Sequence, residues 1–176
     1  VVVVALKTRT IAAADAVVAG VGEMARLLAD AFAILPGAVE LVQPAPVEKI
    51  DTRGNAVPVA HGRHLVCRVR PNANRRVLLT GHMDTVFAAD HPFQSCRQVD
   101  ANTINGPGTA DMKGGIALML AGLEAFERSS PDLGYDVMIN SDEETGSLSS
   151  TALLASLAQG KLAALTYEPA LPGGIM

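Results

Sequence analysis

Apolar residues change period several times along the chain, and each change marks an element. Between residues 10 and 35 they recur at helical spacing, with Met24, Leu27, Leu28, Ala31 and Phe32 on one face, and Pro36-Gly37 closes the pattern. Residues 38–62 are Pro-rich and polar and read as irregular. His64–Arg70 (HLVCRVR) alternates apolar with polar as a half-buried strand does, Pro71–Asn74 supplies a turn, and a hairpin into Val77–Gly81 is expected. The run Val77-Leu78-Leu79-Thr80 is apolar on both faces, as in a strand covered by helices on each side. A polar stretch follows whose length points to function rather than mere connection. Met112–Phe126 then reads as a helix, with Ile116, Met119, Leu120, Leu123 and Phe126 facing one way. Tyr135–Asn140 is a strand, Ser149–Gln159 a helix with Ser at its start and Gly160 just past its end, and Leu162–Tyr167 a further strand.

Strand, helix, strand, helix, strand is the grammar of an α/β fold, here a three-layer α/β/α sandwich with a mainly parallel central sheet. The 176 residues suit one globular unit, and 49% hydrophobic against 18% charged residues excludes disorder. Net charge is −4, from 14 Lys plus Arg against 18 Asp plus Glu, without a dense basic run, so no nucleic-acid partner is expected. No segment reaches the roughly 18 apolar residues of a membrane span, and VVVVALK lacks the basic start of a signal peptide. A cytoplasmic protein without a membrane partner is the expectation. The chain begins without Met and stops at Leu-Pro-Gly-Gly-Ile-Met directly after a strand, so both ends look cut, which leaves a periplasmic or secreted location open. Cys67 and Cys96 are too few for a disulfide framework and too far apart for a C-x-x-C motif, and read as buried or free thiols.

The chemistry concentrates where the strands stop. Gly81-His82-Met83-Asp84 follows the first buried strand, Asp111 precedes the long helix, Asp142-Glu143-Glu144 follows the next strand and Glu168 the last. Ligands of open α/β sheets gather at the carboxyl ends of strands, so these positions can converge on one point. His82 and Asp84, two apart on an extended segment, share a face, and the carboxylate can take the second ring N–H of the imidazole while the other nitrogen aims at a metal. Carboxylates packed at such an edge repel unless a cation sits among them. Gly106–Gly115 (GPGTADMKGG) resembles a nucleotide loop but fails both templates, because Asp111 replaces the third glycine and Lys113 is followed by Gly. Its glycines instead allow a tight backbone that presents Asp111, whose two oxygens can bridge two metal ions. Glu143 and Glu144 stand side by side on a strand-to-helix turn, so one can bind metal while the other holds a proton. His61 and His64 flank a strand away from the acids and read as solvated surface, and His91, before Pro92, as a polar loop residue.

Together GHMDTVF (81–87), GPGTADMKGG (106–115), SDEETGS (141–147) and YEP (167–169) resemble the zinc peptidases of family M20, with wording closest to its glutamate carboxypeptidase branch. The resemblance implies that His82 and Glu168 bind one zinc, that Glu144 binds a second, and that Asp111 bridges the two. It also makes Glu143 the general base, Asp84 the carboxylate that orients His82, and Asp111–Met112 a cis peptide. Cobalt or another divalent metal is open in place of zinc. The implied reaction is amide hydrolysis of a small peptide or N-acyl amino acid. Alternatives are an N-acyl amino-acid deacylase or dipeptidase of the same family, or a non-catalytic metal-binding remnant. Family members continue into a lid or dimerisation domain and a last zinc-binding histidine. Residues 1–176 are therefore expected to be the N-terminal portion of a catalytic domain, inactive alone, with exposed apolar surface, and able to form a homodimer when complete.

Overall fold

Seven residues, all buried or half-buried, make β5 (Arg76–His82), the middle of the parallel part of the sheet. The computed structural model describes residues 13–129 and 132–170. The expected helix start at residues 10–12 and the turn-like ending lie outside them. Beside β5 run β8 (Gly134–Asn140) and β9 (Ala164–Thr166), both parallel to it. The other half is antiparallel: β4 (His64–Val69) pairs with β8, and β1 (Ala38–Val42) with β4, giving the order β1-β4-β8-β5-β9.

Helices cover both faces, so the three-layer sandwich is the observed architecture. On one face α1 (Ala13–Phe32) and α2 (Gly114–Glu127) bury Met24, Leu28, Phe32, Ile116, Met119 and Leu123 against Leu65, Cys67, Leu79, Val137 and Ile139. On the other, α3 (Thr151–Ala158) sets Leu157 on Val66, Leu78 and Met138. Leu78 and Leu79 thus face opposite layers, as the doubly apolar run requires. Leu27, expected on the buried face of α1, is 37% exposed, and Ala25 takes its place.

Two expectations change. The region 38–62 is not irregular: it holds β1 and a separate hairpin of β2 (Val47–Ile50) and β3 (Ala56–Val59), in which Pro58 sits on a two-stranded edge where its missing N–H costs little. Nor do β4 and β5 form a hairpin, because β8 inserts between them and hydrogen-bonds to both. A turn at 71–74 is compatible with either pairing, and β8 wins by joining the two layers of core. The long segment after β5 carries one small hairpin, β6 (Arg97–Gln98) with β7 (Ile104–Asn105). Among the described residues no helix is long and apolar enough to cross a membrane.

One buried charge ties the sheet to the chain beyond α3. Asp136 on β8 is 1% exposed and receives Arg76 Nη2 at 2.7 and 2.8 Å and Lys161 Nζ at 2.8 Å. Asp136→Ala leaves Lys161, itself 5% exposed, without its charged partner, and is expected to cost about 3–5 kcal/mol by urea unfolding. A loss below about 1 kcal/mol would mean the pairs behave as solvated ones.

Candidate metal centre

The register of the three parallel strands brings the polar residues level. His82 ends β5 opposite Asn140 at the end of β8, and Thr80 lies opposite Thr166, so Asp84, Glu143, Glu144 and Glu168 all emerge at one edge. Asp111 arrives from the side. Gly108, at φ 68° in the left-handed region that glycine tolerates, starts a tight turn closed by Lys113 N–H donating to Gly108 O at 2.9 Å. The Asp111–Met112 peptide is cis. Met112 is fully buried and its Sδ accepts the His82 N–H at 3.1 Å, which couples this turn to β5. Gly115 lets α2 touch the last strand's exit, since a Cβ there would lie 2.1 Å from Tyr167 O.

The His82 ring is 1% exposed. Its Nε2 lies 3.0 Å from Asp111 Oδ1, 3.8 Å from Glu168 Oε2 and 3.9 Å from Glu143 Oε2. Its Nδ1 lies 3.3 Å from Asp84 Oδ1 and 3.2 Å from Asp84 O. Asp84 also accepts the backbone N–H of Glu143 on Oδ1 at 3.3 Å and that of Glu144 on Oδ2 at 3.0 Å. The six residues expected at the site therefore meet. Glu143 and Glu144 form a short 3₁₀ turn closed by Gly146 at φ 98°. The ligand atoms of His82, Asp111 and Glu144 lie within 4.8 Å of one another.

Burial raises the pKa of Glu144, helped by the charges of Asp111, Asp84 and Glu143, and burial with Asp111 and Glu143 does the same to Glu168. Lys113 brings a cation beside the cluster: burial lowers its pKa against the pull of Asp84, Asp111 and Glu144, and its Nζ donates to Pro107 O at 3.2 Å. One imidazole and several carboxylates gathered at one strand edge are a donor set that fits zinc or another borderline divalent ion. The thiols of Cys67, buried in the sheet, and Cys96, exposed in the long loop, are free and lie outside this group. Beside the cluster a cavity of about 320 Å³ is lined by Phe87, Phe93, Asn105, Gly108, Asp111 and Glu144.

The other histidines divide. His91 is, as expected, an exposed loop residue, its ring tilted against Phe87 at 5.1 Å between centroids. His64 is not solvated surface: it is fully buried, and His61 is half-buried. The antiparallel course of β4 brings its first residue to the edge where β8 ends, and an H-x-x-H spacing carries no sign of that.

A sandwich with an imidazole and carboxylates gathered where parallel strands end is the layout of a metal-binding α/β protein. Residues 78–175 match the family model described as Peptidase family M20/M25/M40, and the chain belongs to this family. Carboxypeptidase G2 of Pseudomonas sp. (strain RS-16) is 32% identical over 124 residues, covering 69% of this chain and 30% of that protein. Succinyl-diaminopimelate desuccinylase of Methylobacterium nodulans is 35% identical over 94 residues, covering 48% of this chain and 23% of that protein. The chain thus spans less than a third of the length of the curated relatives it matches. Among solved structures, human carnosine dipeptidase 1 superposes with a TM-score of 0.67 at 19% identity, over 87% of this chain and 34% of that one. The M20 family metallo-carboxypeptidase Sso-CP2 from Sulfolobus solfataricus gives 0.64 at 17% identity, over 88% and 34%. Both share the fold.

The carboxylates also set a pH dependence in metal-free protein. Burial alone would lower the His82 pKa, but Asp84, Asp111 and Glu168 outweigh it and raise the imidazole to about 9. A pKa above the unfolded value of 6.5 gives stability that is complete below about pH 6.5 and is lost as pH rises through about 9. With chelator present, the urea midpoint should fall between about pH 6 and about pH 9.5 more steeply than in His82→Asn. Equal slopes for the two proteins would contradict this.

Proposed function

We propose that this chain is the N-terminal, metal-binding portion of the catalytic domain of a di-zinc amide hydrolase, and that the complete protein is a glutamate carboxypeptidase-type exopeptidase. The observation that carries the reading is the gathering of His82, Asp111 and Glu144 ligand atoms within 4.8 Å, with Glu143 Oε2 at 3.9 Å from the same imidazole. The 32% identity to a carboxypeptidase favours that branch. Identities of 33% and 35% to desuccinylases keep an N-acyl amino-acid deacylase as the second reading. Among the described residues the edge strand β9 pairs on the β5 side alone, and Leu165 on it is 46% and Leu162 just before it 60% exposed, which suits a sheet that continues in the complete protein.

In this reading His82 and Glu168 would hold one zinc and Glu144 a second, with Asp111 shared between them. When bound, the ions would supply Lewis acidity for activating water and polarising the substrate carbonyl. Asp84 fixes the His82 ring through Nδ1, so that Nε2 alone is presented to the centre. The backbone N–H groups that Asp84 takes from Glu143 and Glu144 hold the turn, while the Glu143 carboxylate, 49% exposed, stays free to move a proton. Glu143 takes one proton from water as the C–O bond forms, and returns it to the amide nitrogen as the C–N bond breaks, giving acid and amine. The cavity lined by Phe87 and Phe93 borders Asp111 and Glu144, where it can receive the substrate group next to the scissile bond. A passive metal store has no use for a free carboxylate at that place, which favours the enzyme over a non-catalytic remnant.

The complete protein should release glutamate from N-acyl-glutamate and glutamyl peptides, while residues 1–176 alone bind zinc without turnover. Glu143→Gln should lower kcat at least ~10²-fold and keep its zinc. Wild-type turnover in that variant, or no zinc bound by the chain, would sink the reading.

A further inference from the structure

The reaction outlined above leaves His64 without a task, yet its ring is fully buried directly under the turn that bears both glutamates. The hydrogen bonds of the ring go to Ser141 and Ser149, which flank that turn. Ser141 N–H donates to Nδ1 at 3.3 Å, so Nδ1 is the unprotonated nitrogen. Ser141 Oγ lies 3.2 Å from Nδ1, but its hydrogen goes to Gly62 O at 2.6 Å. At the other end Ser149 Oγ gives its hydrogen to Asp142 Oδ2 at 2.8 Å, leaving a lone pair towards Nε2 at 3.4 Å. The partners therefore select one form of the ring, neutral with the proton on Nε2. Burial, which holds the His64 pKa below its usual value against the pull of Asp142, agrees with a neutral ring.

The network is directional: Nε2–H donates to Ser149, Ser149 to Asp142, and Asp142 also accepts Ser149 N–H at 2.7 Å while its carbonyl accepts Ser147 N–H at 2.7 Å. Entry and exit of the turn are thus fastened to one ring on β4. Glu143 and Glu144 lie between the two fastenings, and Asp84 holds their N–H groups from the site side. We propose that His64, as the Nε2–H tautomer, is a positioning residue that ties Ser141 to Ser149 and thereby sets where the Glu143 and Glu144 carboxylates stand. It touches neither substrate nor metal. Its consequence for metal affinity rests on the reading of Glu144 as a ligand, whereas the tautomer does not.

Two measurements on the 176-residue chain test this. Long-range ¹H–¹⁵N correlation spectra should give His64 an unprotonated Nδ1 and a protonated Nε2 at neutral pH. An imidazolium or an Nδ1–H ring would overturn the proposal, whether or not metal binds. Zinc affinity is then compared in His64→Leu, His64→Asn and Leu65→Ala, the last removing a fully buried apolar neighbour on the same strand. His64→Leu should weaken zinc about ten- to a hundred-fold. His64→Asn, which restores an acceptor for Ser141 N–H, should regain part of the loss, and Leu65→Ala should stay within about three-fold of wild type while losing stability. Unchanged affinity in His64→Leu, or an equal loss in Leu65→Ala, would reduce His64 to a core residue. A wild-type chain that binds no zinc would remove the metal reading itself and leave the spectra to decide the tautomer.

Discussion

A single carboxylate, that of Asp84, holds the site together. One oxygen faces His82 Nδ1 at 3.3 Å and also accepts Glu143 N–H, and the other accepts Glu144 N–H. The end of β5 and the turn after β8 are thereby fastened to each other by the same group, across a strand boundary that backbone pairing alone does not extend. Such bonds to a charged acceptor are stronger than neutral ones, and 8% exposure keeps water from competing for them. Without Asp84 the imidazole would have no reason to present Nε2, and the glutamates no fixed distance from it.

What the carboxylate organises is an arrangement that resists itself. Asp84, Asp111, Glu143, Glu144 and Glu168 share one edge with the buried His82 imidazole, and the upward pull on Glu144 and Glu168 comes first from burial and then from the neighbouring carboxylates. The fold sustains it from below. Parallel register sets Glu168 and His82 level, the Met112 sulfur ties the Asp111 turn to β5, and the bare Cα of Gly115 lets α2 rest on Tyr167. A cation at the centre turns this repulsion into attraction, so that metal and fold stabilise the same geometry.

Much of this was legible in the chain. The acids at strand ends could be recognised because their motifs are local: His82 to Asp84 spans two residues, and Glu143 follows its strand by three. Helices α2 and α3 were visible from apolar spacing for the same reason. What stayed hidden depends on pairing between distant segments. The insertion of β8 between β4 and β5 is set by layers of core that no turn motif encodes. β1 lies in a Pro-rich stretch whose local preferences point to loop, and it is kept as a strand by pairing with β4. His64 looked solvated because it flanks a strand that reads as lying away from the acids; its partners, Ser141 and Ser149, are 77 and 85 residues away.

The most direct measurement is X-ray absorption at the zinc edge on the loaded chain. The account predicts a shell of nitrogen and oxygen at about 2.0–2.2 Å, with an imidazole signature that disappears in His82→Ala. A sulfur shell near about 2.3 Å, or a spectrum of hydrated zinc that His82→Ala leaves unchanged, would contradict it.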